Sequence, residues 1–238
     1  MVHPIFFRDA SIGFLRCPVA LGSLQVGRVR IIAEKLFFAE RMRLLARLGI
    51  TLAATMNTPF ATIVLAGGKG TRMGSKDKHK VCFEVLGVPV IIRALETYNL
   101  CGSVLNVVVV GMLAESVMGL VNQRFPGTAY AFQDQQLGTG DAARKGAAIL
   151  EAVGFKGDIL VVAGDKVIDP VAIRALMTLH HKSGADVTLA TARRPEGSSA
   201  GILLSSKNGN ILGILEEAER QRLAALGKVS RALNAGKR

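Results

Sequence analysis

Between Ile63 and Val81 the chain reads "IVLAGGKGTRMGSKDKHKV", with four glycines, four lysines and one arginine. Glycines let backbone N–H groups approach an anion closely. An arginine forks onto phosphate oxygens, and a lysine adds a point charge. The chemistry these residues suit is the holding of phosphates. The stretch matches neither GxxxxGK[ST] nor GxGxxG, because Met73 stands where the third glycine is needed. Gly68, Gly70, Arg72 and Lys80 are the candidate phosphate-binding residues, and Lys76 and Lys78 read as solvated lysines of a surface turn. Two later segments, Gln133–Thr139 and Gly164-Asp165, carry further candidates. An Asp at the end of a strand either forms a turn or cap or offers hard oxygens to a cation.

These segments need elements to hold them. "FATIVLA" over Phe60–Ala66 reads as an apolar strand, "SVLNVVVVG" and "TAYAFQ" as further strands, and "GDILVVAGD" as a strand running to Asp165. Helices are expected from "VPVIIRALETYNLC", with Pro89 in the first turn, near Ala114–Arg124, and from Thr139. Another begins at Asp169-Pro170, an N-cap followed by proline at the first helical position. "ADVTLATA" completes the alternation, and "AGILLSSKNGNILGILEE" reads as a hairpin turning at Asn208-Gly209. Alternating strands and helices predict an α/β domain, a mostly parallel sheet covered on both faces. In such sheets ligands sit at the carboxyl ends of the strands, where all three candidate segments fall.

Composition narrows the partners. Half of the 238 residues are hydrophobic and mean hydropathy is positive, which argues against disorder. The net charge of +12 favours anionic ligands. Three cysteines without a CxxC argue against a disulfide framework or zinc site and for a reducing, cytoplasmic compartment. His180 and His181 are adjacent, point in different directions on a helix and read as solvated helix-end residues. The uncharged run between Glu96 and Glu115 is long enough to raise a membrane span, but its polar residues and valine centre read as a buried strand. No RNA-binding or zinc-finger pattern is present and aromatics are few, so no nucleic-acid partner is expected.

The wording of the three segments then resembles one family. "LAGGKGTRMGSKDKHK" over Leu65–Lys80 looks like the signature of the sugar-1-phosphate nucleotidyltransferases, and "QDQQLGTGDA" from Gln133 is similar to a motif of the N-acetylglucosamine-1-phosphate uridylyltransferases. "VVAGD" resembles the strand end that carries the family's metal ligand, and all three occur in the family's order. The resemblance runs from Phe60 to about Glu217 and implies a three-layer αβα, Rossmann-like nucleotidyltransferase domain. It implies that Leu65, Ala66, Gly67, Gly68, Gly70 and Thr71 wrap the nucleotide, and that Arg72 holds the triphosphate and departing pyrophosphate. Lys80 would bridge the α-phosphate and the sugar phosphate. Gln133, Gly138 and Thr139 would read the base, with Gln136 supporting their loop, Asp165 would bind Mg²⁺, and Gly201 and Glu216 would meet the sugar. The implied reaction is transfer of UMP from UTP to a sugar 1-phosphate in nucleotide-sugar biosynthesis.

The sequence also departs from that pattern. One extra residue lies between Met73 and Lys80, and His79 stands where proline is usual, which makes Lys78 a rival to Lys80. "SAGI" replaces the usual Tyr-Gly-Arg wording around Gly201, and no Asn-Thr-Gly strand or hexapeptide repeat follows. The expected organisation is an N-terminal extension over 1–55, a nucleotidyltransferase-like domain over 56–217 that is incomplete at its C-terminus, and a basic helical tail over 218–238. The extension carries eight Arg/Lys against three Asp/Glu, with an amphipathic helix expected from Ile31 to Leu48. It reads either as a leader or as translated sequence upstream of a start at Met56. The alternative function is a nucleotide-binding fragment that has lost catalysis and acts through binding or assembly.

Overall fold

A computed structural model of the chain describes residues 2–7, 58–68, 77–191, 201–205, 211–215 and 220–222. The expected amphipathic helix at 31–48, the turn at Asn208-Gly209 and nearly all of the tail lie outside the described residues. Val2–Phe7 forms β1. The apolar run Phe60–Ala66 forms β2, buried along almost its whole length, as a strand covered on both faces must be. A 3-10 turn at Lys80–Cys82 follows. Two short strands, β3 (Glu84–Val85) and β4 (Val88–Pro89), then form a tight hairpin. Leu86 and Gly87 at its tip both have positive φ, the geometry of a two-residue hairpin turn.

Helix α1 (Val90–Leu100) begins directly after that hairpin, with Pro89 as its N-cap and not within its first turn. β5 (Ser103–Val110), α2 (Ala114–Arg124) and β6 (Ala129–Phe132) come next. α3 (Thr139–Ala152) and β7 (Asp158–Ala163) follow, so the strand stops two residues short of Asp165. In α4 (Pro170–Ser183) the Asp169 side chain accepts from the Val171 N–H and Pro170 occupies the first turn, satisfying one orphan donor and using a position that needs none. β8 (Val187–Thr191) and the antiparallel pair β9 (Ile202–Ser205) and β10 (Ile211–Leu215) complete the described elements.

The main sheet runs β6-β5-β2-β7-β1-β8. β2 is parallel to both β5 and β7, and β5 is parallel to β6. β1 alone is reversed, antiparallel to β7 on one side and to β8 on the other. Sequence reasoning placed no strand in the first 55 residues. Its register against β8 shifts between Val2 and Ile5, across Pro4, which has no N–H to give to a ladder.

Side chains alternate across the sheet with the period of two that a strand imposes. Val64, Ala66, Val108, Val110, Leu160 and Val162 face one way, onto α1, α2 and α4. Ala61, Ile63, Val107, Val109, Ile159 and Val161 face the other way, onto α3. The result is the three-layer α/β arrangement. At Gly146 the backbone of α3 lies so close to the sheet that an added Cβ would come within 2.5 Å of Ile63 Cγ2. A mid-helix glycine costs about 1 kcal/mol relative to alanine, and close approach is its physical reason here. No helix among the described residues is long and apolar enough to cross a membrane.

His180 corrects the expectation of a solvated helix end. It is fully buried, with Nδ1 2.8 Å from the Thr188 hydroxyl. Its neighbour His181 hydrogen-bonds the carboxylate of Asp158 through Nε2. Adjacent positions on a helix do point apart, but the last turn of α4 lies over the start of β7, so both rings turn inward toward one buried carboxylate.

Candidate active site

β2 and β7 run side by side and end together, and the polypeptide leaves both at the same edge of the sheet. The Gly164 N–H donates to the Leu65 carbonyl at 2.9 Å, which ties the two exits. A Cβ on Gly164 would lie 3.2 Å from that carbonyl and 3.3 Å from Val81 Cγ1. Across the neighbouring strand, a Cβ on Gly111 would come within 2.8 Å of the Gly67 carbonyl. Gly67, Gly111 and Gly164 thus form a floor of bare backbone at the carboxyl ends of β2, β5 and β7. Gly68, the next residue, is exposed above it.

The 3-10 turn sets a cation over this floor. Val81 and Cys82 are buried and anchor the turn in the core below α1 and α2. That leaves Lys80 to reach across to Asp165, with Nζ 2.9 Å from Oδ2. A Cβ built on Gly68 would touch the Lys80 ammonium at 3.9 Å, so Gly68, Lys80 and Asp165 share one spot. Burial by itself raises the Asp165 carboxyl; the Lys80 hydrogen bond and charge, aided by Lys166, outweigh it and hold the group below its ordinary range. Asp165 Oδ1 is buried with no hydrogen-bond partner. Lys78, the rival, instead lies over the Phe83 ring, 5.4 Å from its centroid.

The Gln133–Thr139 loop closes the other side. The Gln133 N–H donates to the Val110 carbonyl at 2.8 Å. Its buried side chain gives Nε2 to the Gly138 carbonyl and to Asp141 Oδ2, at 3.2 and 3.0 Å. Gln136 Nε2 donates to the Gly67 carbonyl at 2.8 Å. Gly138 has φ of +99° as the N-cap of α3, a conformation that glycine adopts freely. Thr139 begins that helix, exposed, with Asp141 in its first turn. An open cavity of about 420 Å³ bordered by Asp134, Leu137, Arg144 and Lys145 lies along this loop and α3; neither Lys80 nor Asp165 lines it.

The structure therefore brings Leu65, Ala66, Gly67, Gly68, Lys80, Gln133, Gln136 and Asp165 to one edge of the sheet, with Gly138 and Thr139 at its rim. Gly201 is buried, immediately before β9. Gly70, Thr71, Arg72 and Glu216 lie outside the described residues. Two participants were missed by sequence reasoning. Gly111 follows β5 with no motif to mark it. His79 is buried, with Nε2 2.9 Å from the Gly68 carbonyl, and only its place in the family's usual proline position singled it out. Among the described residues no group of three or more His, Cys, Asp or Glu side chains could enclose a metal ion. Asp165 nevertheless suits a hard cation that takes one protein carboxylate and completes its shell with phosphate and water, because it has an unsatisfied buried oxygen.

A parallel-centred αβα sheet with a glycine floor, a lysine–aspartate pair and a glutamine loop at its carboxyl edge defines a Rossmann-like nucleotidyltransferase domain. The chain belongs to the MobA-like NTP transferase domain family, which matches residues 62–233. It is 36% identical over 164 residues to the bifunctional protein GlmU of Geobacter metallireducens, covering 67% of this chain and 33% of that protein. It is 39% identical over 142 residues to GlmU of Sphingopyxis alaskensis, covering 59% of this chain and 30% of that protein. The chain spans about a third of the length of these curated relatives. A crystal structure of a UDP-glucose pyrophosphorylase complexed with UDP-glucose has the same fold, with a TM-score of 0.51 and 17% identity, over 67% of this chain and 69% of that one.

Proposed function

We propose that the chain transfers a nucleoside monophosphate, UMP from UTP, to a sugar 1-phosphate and releases pyrophosphate. The observation that carries the proposal is the meeting of Lys80 Nζ and Asp165 Oδ2 at 2.9 Å beside exposed Gly68. One cation and one hard-oxygen ligand converge where bare backbone admits a polyphosphate. In the reaction an oxygen of the sugar phosphate bonds to the α-phosphorus of UTP as the bond from that phosphorus to the bridging β-phosphate oxygen breaks. Two highly charged phosphates must meet, so catalysis is a matter of charge neutralisation and positioning.

Lys80 draws the α-phosphate and the incoming phosphate together. Backbone groups of Leu65 through Gly68 line the nucleotide, Gln133, Gly138 and Thr139 face its base, and Gln136 braces Gly67. Gly70, Thr71 and Arg72 come next in the sequence, with Arg72 assigned to the triphosphate, and Gly201 and Glu216 to the sugar. Asp165 would hold Mg²⁺, which supplies positive charge at the phosphates when bound.

The test is Mg²⁺-dependent pyrophosphate release from UTP with a panel of sugar 1-phosphates, alongside UTP titration by calorimetry. Release with one sugar 1-phosphate and not with the others is expected. UTP binding without release under every condition would replace the proposal with the nucleotide-binding reading.

A further inference from the structure

His79 bears no obvious relation to phosphate chemistry, yet it is 3% exposed beside the loop that Lys80 serves. Its two ring nitrogens have different partners. Nε2 lies 2.9 Å from the carbonyl oxygen of Gly68. A carbonyl only accepts, so Nε2 carries the proton. Nδ1 lies 3.4 Å from the Val81 amide nitrogen, whose N–H donates to it. An amide only donates there, so Nδ1 is bare. The two contacts require one tautomer of the neutral ring, and they bridge the exit of β2 to the turn that presents Lys80.

We infer that His79 is a positioning residue: its imidazole clamps Gly68 to the 3-10 turn and so fixes the Lys80 ammonium over the reacting phosphate. The inference rests on the nucleotidyltransferase reading above and extends it to a residue that touches no substrate. Burial disfavours the charged ring, as does the adjacent Lys80 charge, and a second ring proton would abolish the bond from Val81. The backbone of His79 has φ of −65° and ψ of 141°, values that a proline also adopts. The geometry of the chain therefore does not itself demand histidine, and the ring's two hydrogen bonds are what a proline cannot replace.

Three substitutions separate clamp from scaffold. His79→Pro keeps the backbone angle and removes both bonds. His79→Ala removes both and frees the backbone. His79→Gln restores an amide N–H of similar reach to the Gly68 carbonyl. With steady-state pyrophosphate release as the readout, Pro and Ala are expected to lower kcat about ten- to a hundredfold, the range that a displaced catalytic group produces. KM for UTP should stay within about twofold, since the base loop is held by separate bonds, and His79→Gln should recover most of kcat. Wild-type kcat in His79→Pro, or a Gln variant no better than Ala, would overturn the clamp. So would losses of kcat that merely follow the folded fraction measured by circular dichroism.

Ring nitrogen NMR of the unmodified full chain gives a reading independent of turnover. The Nε2–H tautomer is expected, and an Nδ1–H or doubly protonated ring at neutral pH would overturn the clamp. If the unmodified chain released no pyrophosphate with any sugar, the function proposal would fall, and the tautomer would still decide the clamp.

Discussion

The strand β7 is bracketed by the same dipeptide, Gly157-Asp158 at its start and Gly164-Asp165 beyond its end. Both glycines are there for close approach. A Cβ on Gly157 would lie 2.2 Å from the Pro59 carbonyl, and one on Gly164 would lie 3.2 Å from the Leu65 carbonyl. The two aspartates differ completely. Asp158 is 3% exposed, with His181 on one carboxylate oxygen and His180 Nε2 3.8 Å from the other. Asp165 has a side chain 32% exposed, a single partner in Lys80 and an oxygen without one. The end of the sheet decides the difference. At the amino end of β7 the last turn of α4 covers the carboxylate with two imidazoles. At the carboxyl end loops and the short 3-10 turn with Lys80 arrive, and the carboxylate stays open to ligands.

The comparison can be broken most directly at Asp165. Asp165→Ala is expected to lower the rate of pyrophosphate release about 10²–10³-fold, the loss typical of one electrostatic group at a reacting centre. Its urea midpoint should remain close to that of the unmodified chain. A variant that unfolded instead would make the two aspartates alike. Asp158→Ala should do the converse, costing about 2–3 kcal/mol of stability by removing the carboxylate from the buried His180 and half-buried His181 rings, while kcat per folded molecule is unchanged. Chemical denaturation and an activity-based count of folded sites measure both quantities together. A fall in kcat there would join the amino end to the chemistry.

Gly146→Ala supplies a control away from both ends. The added methyl presses on Ile63 and Val109 in the middle of the sheet. Overpacking of this kind costs typically about 1–3 kcal/mol, against about 1 kcal/mol gained in helix propensity. A net loss in the urea midpoint is expected, and a stabilised variant would mean that α3 lifts off easily.

The smallest effect concerns pH at the Asp165 end. The folded-state pKa of His79 lies below its ordinary value of 6.5, first because of burial. The unfolded chain therefore takes up the proton first. The stability that this ring contributes is present above about 6.5 and is lost as pH falls through the folded value. Thermal melts of the unmodified chain and His79→Gln, compared between about pH 7 and 5, should diverge on acidification. Parallel curves would assign all of the acid sensitivity to other groups.

How much of this was legible depended on how local the determinants were. β2, α2 and the cap of α4 could be read from short patterns, because an apolar run, a helical spacing and an Asp-Pro pair each carry their cause within a few residues. Gly68 and Lys80 could be picked out by phosphate chemistry, and Gly67, Gln136 and Asp165 because their wording resembles a family. What could not be read was set by distant partners. Gly111 matters only because Gly67 and Gln133 pass over it. His180 has the sequence surroundings of a surface residue and lies in the core because β8 brings Thr188 to it. The slot of β1 is equally invisible, since its pairing depends on residues more distant still.

That slot bears on how the protein is made. Val2–Phe7 precedes every other strand of this sheet along the chain, yet it pairs with residues 159–161 and 187–191. At a translation rate of about 5–20 residues per second, this apolar segment waits on the order of 10–40 s for its second neighbour. Until then β2, β5, β6 and β7 can assemble as a parallel group, leaving one side of β7 without a partner. Seating β1 between β7 and β8 therefore joins distant parts of the chain, a non-local pairing of the kind that forms slowly.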